Sequence, residues 1–461
     1  MVEQINTNKQ EKHEIKQPKK EDTLVEKAGK RSQRIITRKK IINFVPQWWI
    51  GTGEILGLAG VLLVNFFLLL PFFGQKDVSN VFSAPLIPLL ANLTSFYIPY
   101  DFGIRFWLLI FLLVFPISFY FLIREISNRR LVAFSAALVV SLPLGIFLPL
   151  RTKLALLTQD GGQVASLTLT MFACLFLLRF LRVGNFAMGI HSAIIITLVA
   201  LTSPLGLFIL FCFAIALAFS EMLLAQGRIK IARFLIVFIL ATGFCAFWYN
   251  PKFVFLIIST AQGALFRKTL TNLLPLTFFL APMLGAFGFL LFEKRPQLQP
   301  LFLAVFFTIG FGLLSLGAGM ELSSPSRFVP SFGIALSFLI GLTLSYIFNF
   351  IQKPGSLKQY KFISRHKRLA AATTLAVMFF LALVIIDISG SQFREQSSEP
   401  VLGVNIEKRT GIWEFREQAG GISKIIGNLI TIVTLGLTIF LGLKFRKKNS
   451  INNVNVGSAN I

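Results

Sequence analysis

Residues 104–123 read IRFWLLIFLLVFPISFYFLI. The stretch holds one charge, Arg105, near its start, and shows no alternation of polar and apolar positions. A helix of this length extends roughly 30 Å, the thickness of the hydrocarbon layer of a bilayer. Inside hydrocarbon no water satisfies peptide groups, so a spanning segment closes its hydrogen bonds within itself as an α-helix. The stretch predicts a transmembrane helix, and the pattern recurs on both sides of it. Apolar blocks lie at 55–73, 131–150, 164–181, 186–202, 204–223, 232–250, 274–292, 299–317, 329–351, 369–388 and 424–444. Together they predict an all-α, polytopic integral membrane protein of about twelve spans. Only Ser203-Pro204 marks the boundary between 186–202 and 204–223, which form either a tight helical hairpin or one broken element.

Composition agrees with this class. Hydrophobic residues make up 55% of the chain, charged residues 14%, and the mean hydropathy is +0.73. A soluble domain carries about 25% charged residues. The alternating short strands of an outer-membrane barrel are missing. Cys174, Cys212 and Cys245 all fall inside apolar blocks, without the spacing of a metal site or a disulfide framework, and read as small packing residues.

The charged residues set the orientation. Residues 1–45 hold twelve Lys or Arg against six Asp or Glu. With no apolar periodicity this segment predicts a disordered tail rather than a signal peptide. Trp48 and Trp49 follow it and suit the headgroup region. The membrane domain is expected over 46–445, with a short polar tail over 446–461. If the blocks alternate across the bilayer, one side collects 32 of the 45 Lys and Arg, and 16 of these remain when both tails are set aside. Short loops rich in Lys and Arg stay in the cytoplasm, so the N and C termini are both expected there. The net charge of +25 is then an orientation signal, with a minor attraction to anionic lipid. It calls for no nucleic acid. Membrane lipid is the constant partner, and a cell (plasma) membrane is the expected location.

Chemistry on a lipid-borne substrate needs a carboxylate at the membrane surface, acting as general base or as ligand to a divalent metal ion. It also needs cations that hold the lipid phosphate. The outer loops supply Asp77, Asp160 and Glu321 as candidate catalytic residues, and Arg105, Arg151 and Arg327 as candidate phosphate-binding residues. Asp101 and Arg105 are spaced as an i,i+4 ion pair at a helix start. His191 reads as a packing residue. Walker A, HExxH and Gly-rich nucleotide motifs are missing, which speaks against ATP-driven chemistry and intramembrane zinc proteolysis. Few ionisable residues fall in mid-block, where ion-coupled transporters keep them.

The order of features from Pro85 onward carries a resemblance. Pro85-Leu86-Ile87-Pro88 leads into the helix with Arg105, and an Ala-rich helix ends in Leu142-Pro143-Leu144. Then come Gly161-Gly162, a helix closing on Arg179-Phe180-Leu181-Arg182, and Leu201-Thr202-Ser203-Pro204. Ala246-Phe247-Trp248-Tyr249-Asn250-Pro251 and Pro325-Ser326-Arg327-Phe328 follow. This order resembles the polytopic membrane proteins of the glycosyltransferase C superfamily. The resemblance implies transfer of a sugar from a polyprenyl-phosphate carrier on the extracytoplasmic face, with Asp77 as base or metal ligand and Arg327 on the phosphate. Members usually carry a pair of acids in the first outer loop, whereas this chain has Asp77, with Asp101 at the loop's far end. A transporter or flippase for a lipid-linked or amphipathic substrate is the alternative, and a non-catalytic envelope-assembly protein is a third.

Overall fold

The computed structural model describes residues 52–73, 84–144, 147–156, 161–224, 227–259, 285, 299–315, 328–352 and 421–458. The chain divides after Leu56 into two units. Of the first only residues 52–56 are described, and the helical bundle from Gly57 onward is the second. The tail at 1–45, the block at 369–388 and all but Gly285 of the block at 274–292 lie outside the described residues.

Among the described residues every regular element is a helix. In chain order they are α1 (Thr52–Phe73), α2 (Leu86–Thr94), α3 (Tyr100–Ser127), α4 (Arg130–Val140), α5 (Leu148–Leu156), α6 (Gly161–Val183) and α7 (Phe186–Thr202). There follow α8 (Pro204–Leu224), α9 (Gly227–Cys245), α10 (Pro251–Ser259), α11 (Gln299–Ser315), α12 (Val329–Gln352) and α13 (Ile422–Ser458). Six of them, α1, α3, α6, α8, α12 and α13, are long and apolar enough to cross a membrane, and α4, α7 and α11 are shorter apolar helices. The protein is a multi-pass helical membrane protein. Helix α13 continues to Ser458, through most of the segment expected as a polar tail.

Helix α6 is the centre of the bundle. It packs against α3, α5, α7, α8 and α9, and 78% of its apolar window is buried, against 11% for α13. Its Met171, Cys174, Leu177, Leu178 and Leu181 enter the main core with Phe213 and Leu217 of α8. Phe213 in turn stacks near Phe307 and Phe311 of α11, with ring centroids 4.5 and 4.7 Å apart. The three cysteines are unbridged, and Cys174 and Cys245 are buried in packing positions.

The helix ends follow local chemistry. Gly184 ends α6 at φ +76°, a conformation that penalises a Cβ, and its N–H reaches the Phe180 carbonyl. Asn185 then caps α7, its side chain accepting from the Ala187 N–H at 3.1 Å. Ser203 is extended, and its hydroxyl accepts from the Gly206 N–H while Pro204 opens α8. Arg182, just before α7, is 2.9 Å from Glu221, near the end of α8. The start of α7 and the end of α8 therefore lie together, so 186–202 and 204–223 form an antiparallel hairpin of two helices.

The block at 131–150 is a correction. It does not form one span: α4 stops at Val140, and α5 begins at Leu148. Pro143 opposes helix continuation. Eleven residues of helix rise about 16 Å, roughly half the thickness of the hydrocarbon layer.

Candidate functional site

A helix that ends inside a membrane must still satisfy its last carbonyls. Those of α4 are all accounted for. The Ser141 hydroxyl donates to Ala137 O at 2.8 Å. The Ser141 and Leu142 N–H groups donate to Leu138 O and Val139 O. Arg151 Nη2 donates to Val140 O at 2.6 Å. Arg151, from α5, is 1% exposed, the largest fully buried side chain. Its guanidinium lies 4.1 Å from the ring centroid of Phe115 on α3, and Nε reaches Phe147 O at 3.4 Å. Phe115 lies twelve residues before the end of α3, about 18 Å along the helix, so this contact sits well away from that helix end. An arginine stays protonated at neutral pH. No carboxylate among the described residues pairs with Arg151, and Nη1 has no hydrogen-bond partner among them.

A second buried polar side chain reaches the same helix end. Asn65 on α1 is fully buried, and its Nδ2 donates to Ser141 Oγ at 3.1 Å. The Ser141 proton is already given to Ala137 O, so Ser141 Oγ can only accept. This fixes the amide with Oδ1 turned away, and Oδ1 has no partner among the described residues. Arg151 and Asn65 are thus anchored on consecutive residues, Val140 and Ser141, each with one polar atom to spare. The arrangement can hold an anion at Arg151 Nη1 and a donor at the Asn65 amide oxygen.

A different charged cluster lies at the ends of α3, α6 and α8. Glu221 of α8 accepts from Arg182 of α6 at 2.9 Å, Lys230 of α9 at 3.0 Å and Gln299 of α11 at 2.9 Å. Arg179 pairs with Glu125 of α3 at 2.9 Å, and Arg182 Nη1 donates to the Glu125 carbonyl. Lys230 also donates to the Glu221 carbonyl. The cluster ties five helices together, and every group in it faces another, so it reads as structure rather than as a site. It brings together ends that the charge count had assigned to one face.

Of the six residues picked from the sequence, Asp77, Asp160, Glu321 and Arg327 lie outside the described residues. Arg105 is half-buried on the first turns of α3 and forms no ion pair with the exposed Asp101, contrary to the i,i+4 expectation. Holding two charged side chains in one geometry where one of them is exposed costs entropy that the pair barely offsets. Arg105 does not join Arg151. His191 is exposed rather than buried, though partnered: Nδ1 lies 2.6 Å from Ala187 O, and the ring stacks on Phe176. Among the described residues no three of His, Cys, Asp and Glu come together as metal ligands. Sequence reasoning missed Asn65, and the one signal was an amide in the middle of an apolar block, which hydrocarbon disfavours unless it is bonded. No family model, no curated protein and no solved structure matches the chain.

Proposed function

We propose that this protein is a glycosyltransferase-like membrane protein that takes a polyprenyl-phosphate-linked sugar at the extracytoplasmic face of a cell membrane. It has about twelve spans and cytoplasmic termini. The observation that supports this most is Arg151, a buried guanidinium with a free nitrogen and no carboxylate partner among the described residues. Such a group suits a phosphate ester, one of whose oxygens can accept a charge-assisted hydrogen bond from Nη1. Asp77 serves as base or metal ligand, with Asp160 and Glu321 as the further acids, and Arg105 and Arg327 hold phosphate beside Arg151. The order of motifs from Pro85 to Phe328 supports sugar transfer as the chemistry.

One observation favours a second reading, a flippase for the same lipid. Helix α4 is about half the length of a span and stops where Arg151 meets its last carbonyl, and broken helices are typical of transport sites. The test is purified protein in liposomes, assayed side by side for sugar transfer from a polyprenyl-phosphate donor and for flipping of that donor. Transfer, lowered roughly a hundredfold or more in Asp77→Asn, is the expected result. Donor flipped but never cleaved would replace the first reading by the second.

A further inference from the structure

Arg151 alone would accept any anion, but Asn65 narrows the choice. The free atom on Arg151 is a charged donor, Nη1, and the free atom on Asn65 is an acceptor, Oδ1. An acceptor and a cation anchored on consecutive residues, Ser141 and Val140, are not both satisfied by a bare phosphate diester, which offers the acceptor no hydrogen. Both gain from a ligand that places an O–H next to its oxyanion. Both atoms are buried, where an unmade hydrogen bond costs most. Both side chains are held by their other ends, Asn65 by Ser141 Oγ at 3.1 Å and Arg151 by Val140 O at 2.6 Å, so neither turns freely to find another partner.

Resting on the proposed phosphate-lipid reading, we infer that Arg151 and Asn65 form a two-point site for the sugar-phosphate head of the lipid: Arg151 takes a phosphate oxygen, and Asn65 accepts from a sugar hydroxyl beside it. Asn65 is a specificity-determining residue, because it separates a glycosyl phosphate from a phosphate with no hydroxyl. The atoms are closed off in this conformation, so binding is coupled to opening, and the apparent affinity is reduced by the fraction of molecules that are open.

The test uses the purified full chain in nanodiscs and equilibrium binding of three probes. These are a polyprenyl-phosphate hexose, a polyprenyl methyl phosphate and inorganic phosphate. The two lipids carry the same single negative charge and differ in hydroxyls. The hexose ester should bind roughly tenfold more tightly than the methyl ester. Asn65→Leu should erase that ratio while leaving the methyl ester's affinity unchanged. Arg151→Gln should weaken both lipids, by roughly tenfold to a hundredfold. Equal binding of the two lipids by the wild type overturns the inference, and so does a ratio that survives in Asn65→Leu. Because the wild-type ratio needs no variant, a failure of Asn65→Leu to fold leaves the test standing. Inorganic phosphate binding as tightly as the hexose lipid would overturn the lipid as ligand. Sugar transfer without the ratio removes this site and keeps the proposed function; the ratio without sugar transfer or donor flipping does the reverse.

Discussion

At the scale of single residues the question is what Arg151 is for. Part of its role is local: Nη2 closes the last carbonyl of α4, and a cation at a helix C-terminus meets the negative end of the dipole. A buried charge also carries a desolvation cost that these contacts offset only in part. Arg151→Leu removes the cost together with the contacts, so the two changes oppose each other. We expect unfolding in mixed micelles to shift by less than about 2 kcal/mol, while phosphate-lipid binding is lost. A collapse of stability with binding intact in the surviving fraction would make Arg151 a cap and nothing more. The cation could be picked from the sequence because an arginine between apolar blocks stands out. Asn65 could not, because its partner Ser141 is 76 residues away and the apolar run around it masks one amide. Asp77, Asp160, Glu321 and Arg327 were equally visible as letters, but apposition of loop side chains depends on tertiary contacts that letters do not carry.

Helices and their junctions were more legible. Most block positions survive because hydrocarbon imposes one solution on any long apolar run. The errors have physical causes. Averaging hydropathy over 131–150 hides a helix end, since Leu142, Pro143 and Leu144 are apolar but not helix-forming as a group. The ion cluster was counted as loop charge because its members come from five separate helices. Its energetics are uneven, and that gives a prediction. Glu221 is 2% exposed and meets Arg182, Lys230 and Gln299. Glu221→Ala strands the buried Lys230 and should cost about 3–5 kcal/mol. Arg179 is 23% exposed on the side chain, and its bond to Glu125 is partly solvated. Arg179→Ala should cost about 1 kcal/mol or less. Denaturant unfolding of both variants in one detergent checks the order; equal losses would show that the cluster acts as a single unit rather than around Glu221.

For the molecule as a whole, the proposed orientation rests on charge. The ends gathered around Glu125 and Glu221 are among those that the count of 32 of the 45 cations assigns to the cytoplasmic face. Cysteines introduced as Ser79→Cys and Ser397→Cys should be labelled by an impermeant maleimide on intact cells, and Ser356→Cys only after lysis. Labelling of Ser356→Cys without lysis would invert the protein. Cys174 and Cys245 are buried and add little background.

Helix α13 joins this bundle through a narrow strip. Gly427 lies against the Ala246 carbonyl, too close for any side chain. Thr431 donates to Gly243 O and accepts from the Phe247 N–H, and Ser423 bridges Asn250 and the Lys252 N–H. These bonds join residues 171–188 positions apart. A ribosome adds about 5–20 residues per second, so the end of α9 waits roughly ten to forty seconds for the helix that covers it. In that interval the Phe247 amide meets lipid or a temporary companion in place of Thr431, while Asn250 Oδ1 keeps the Phe253 N–H, and slow codons between 260 and 421 prolong the wait.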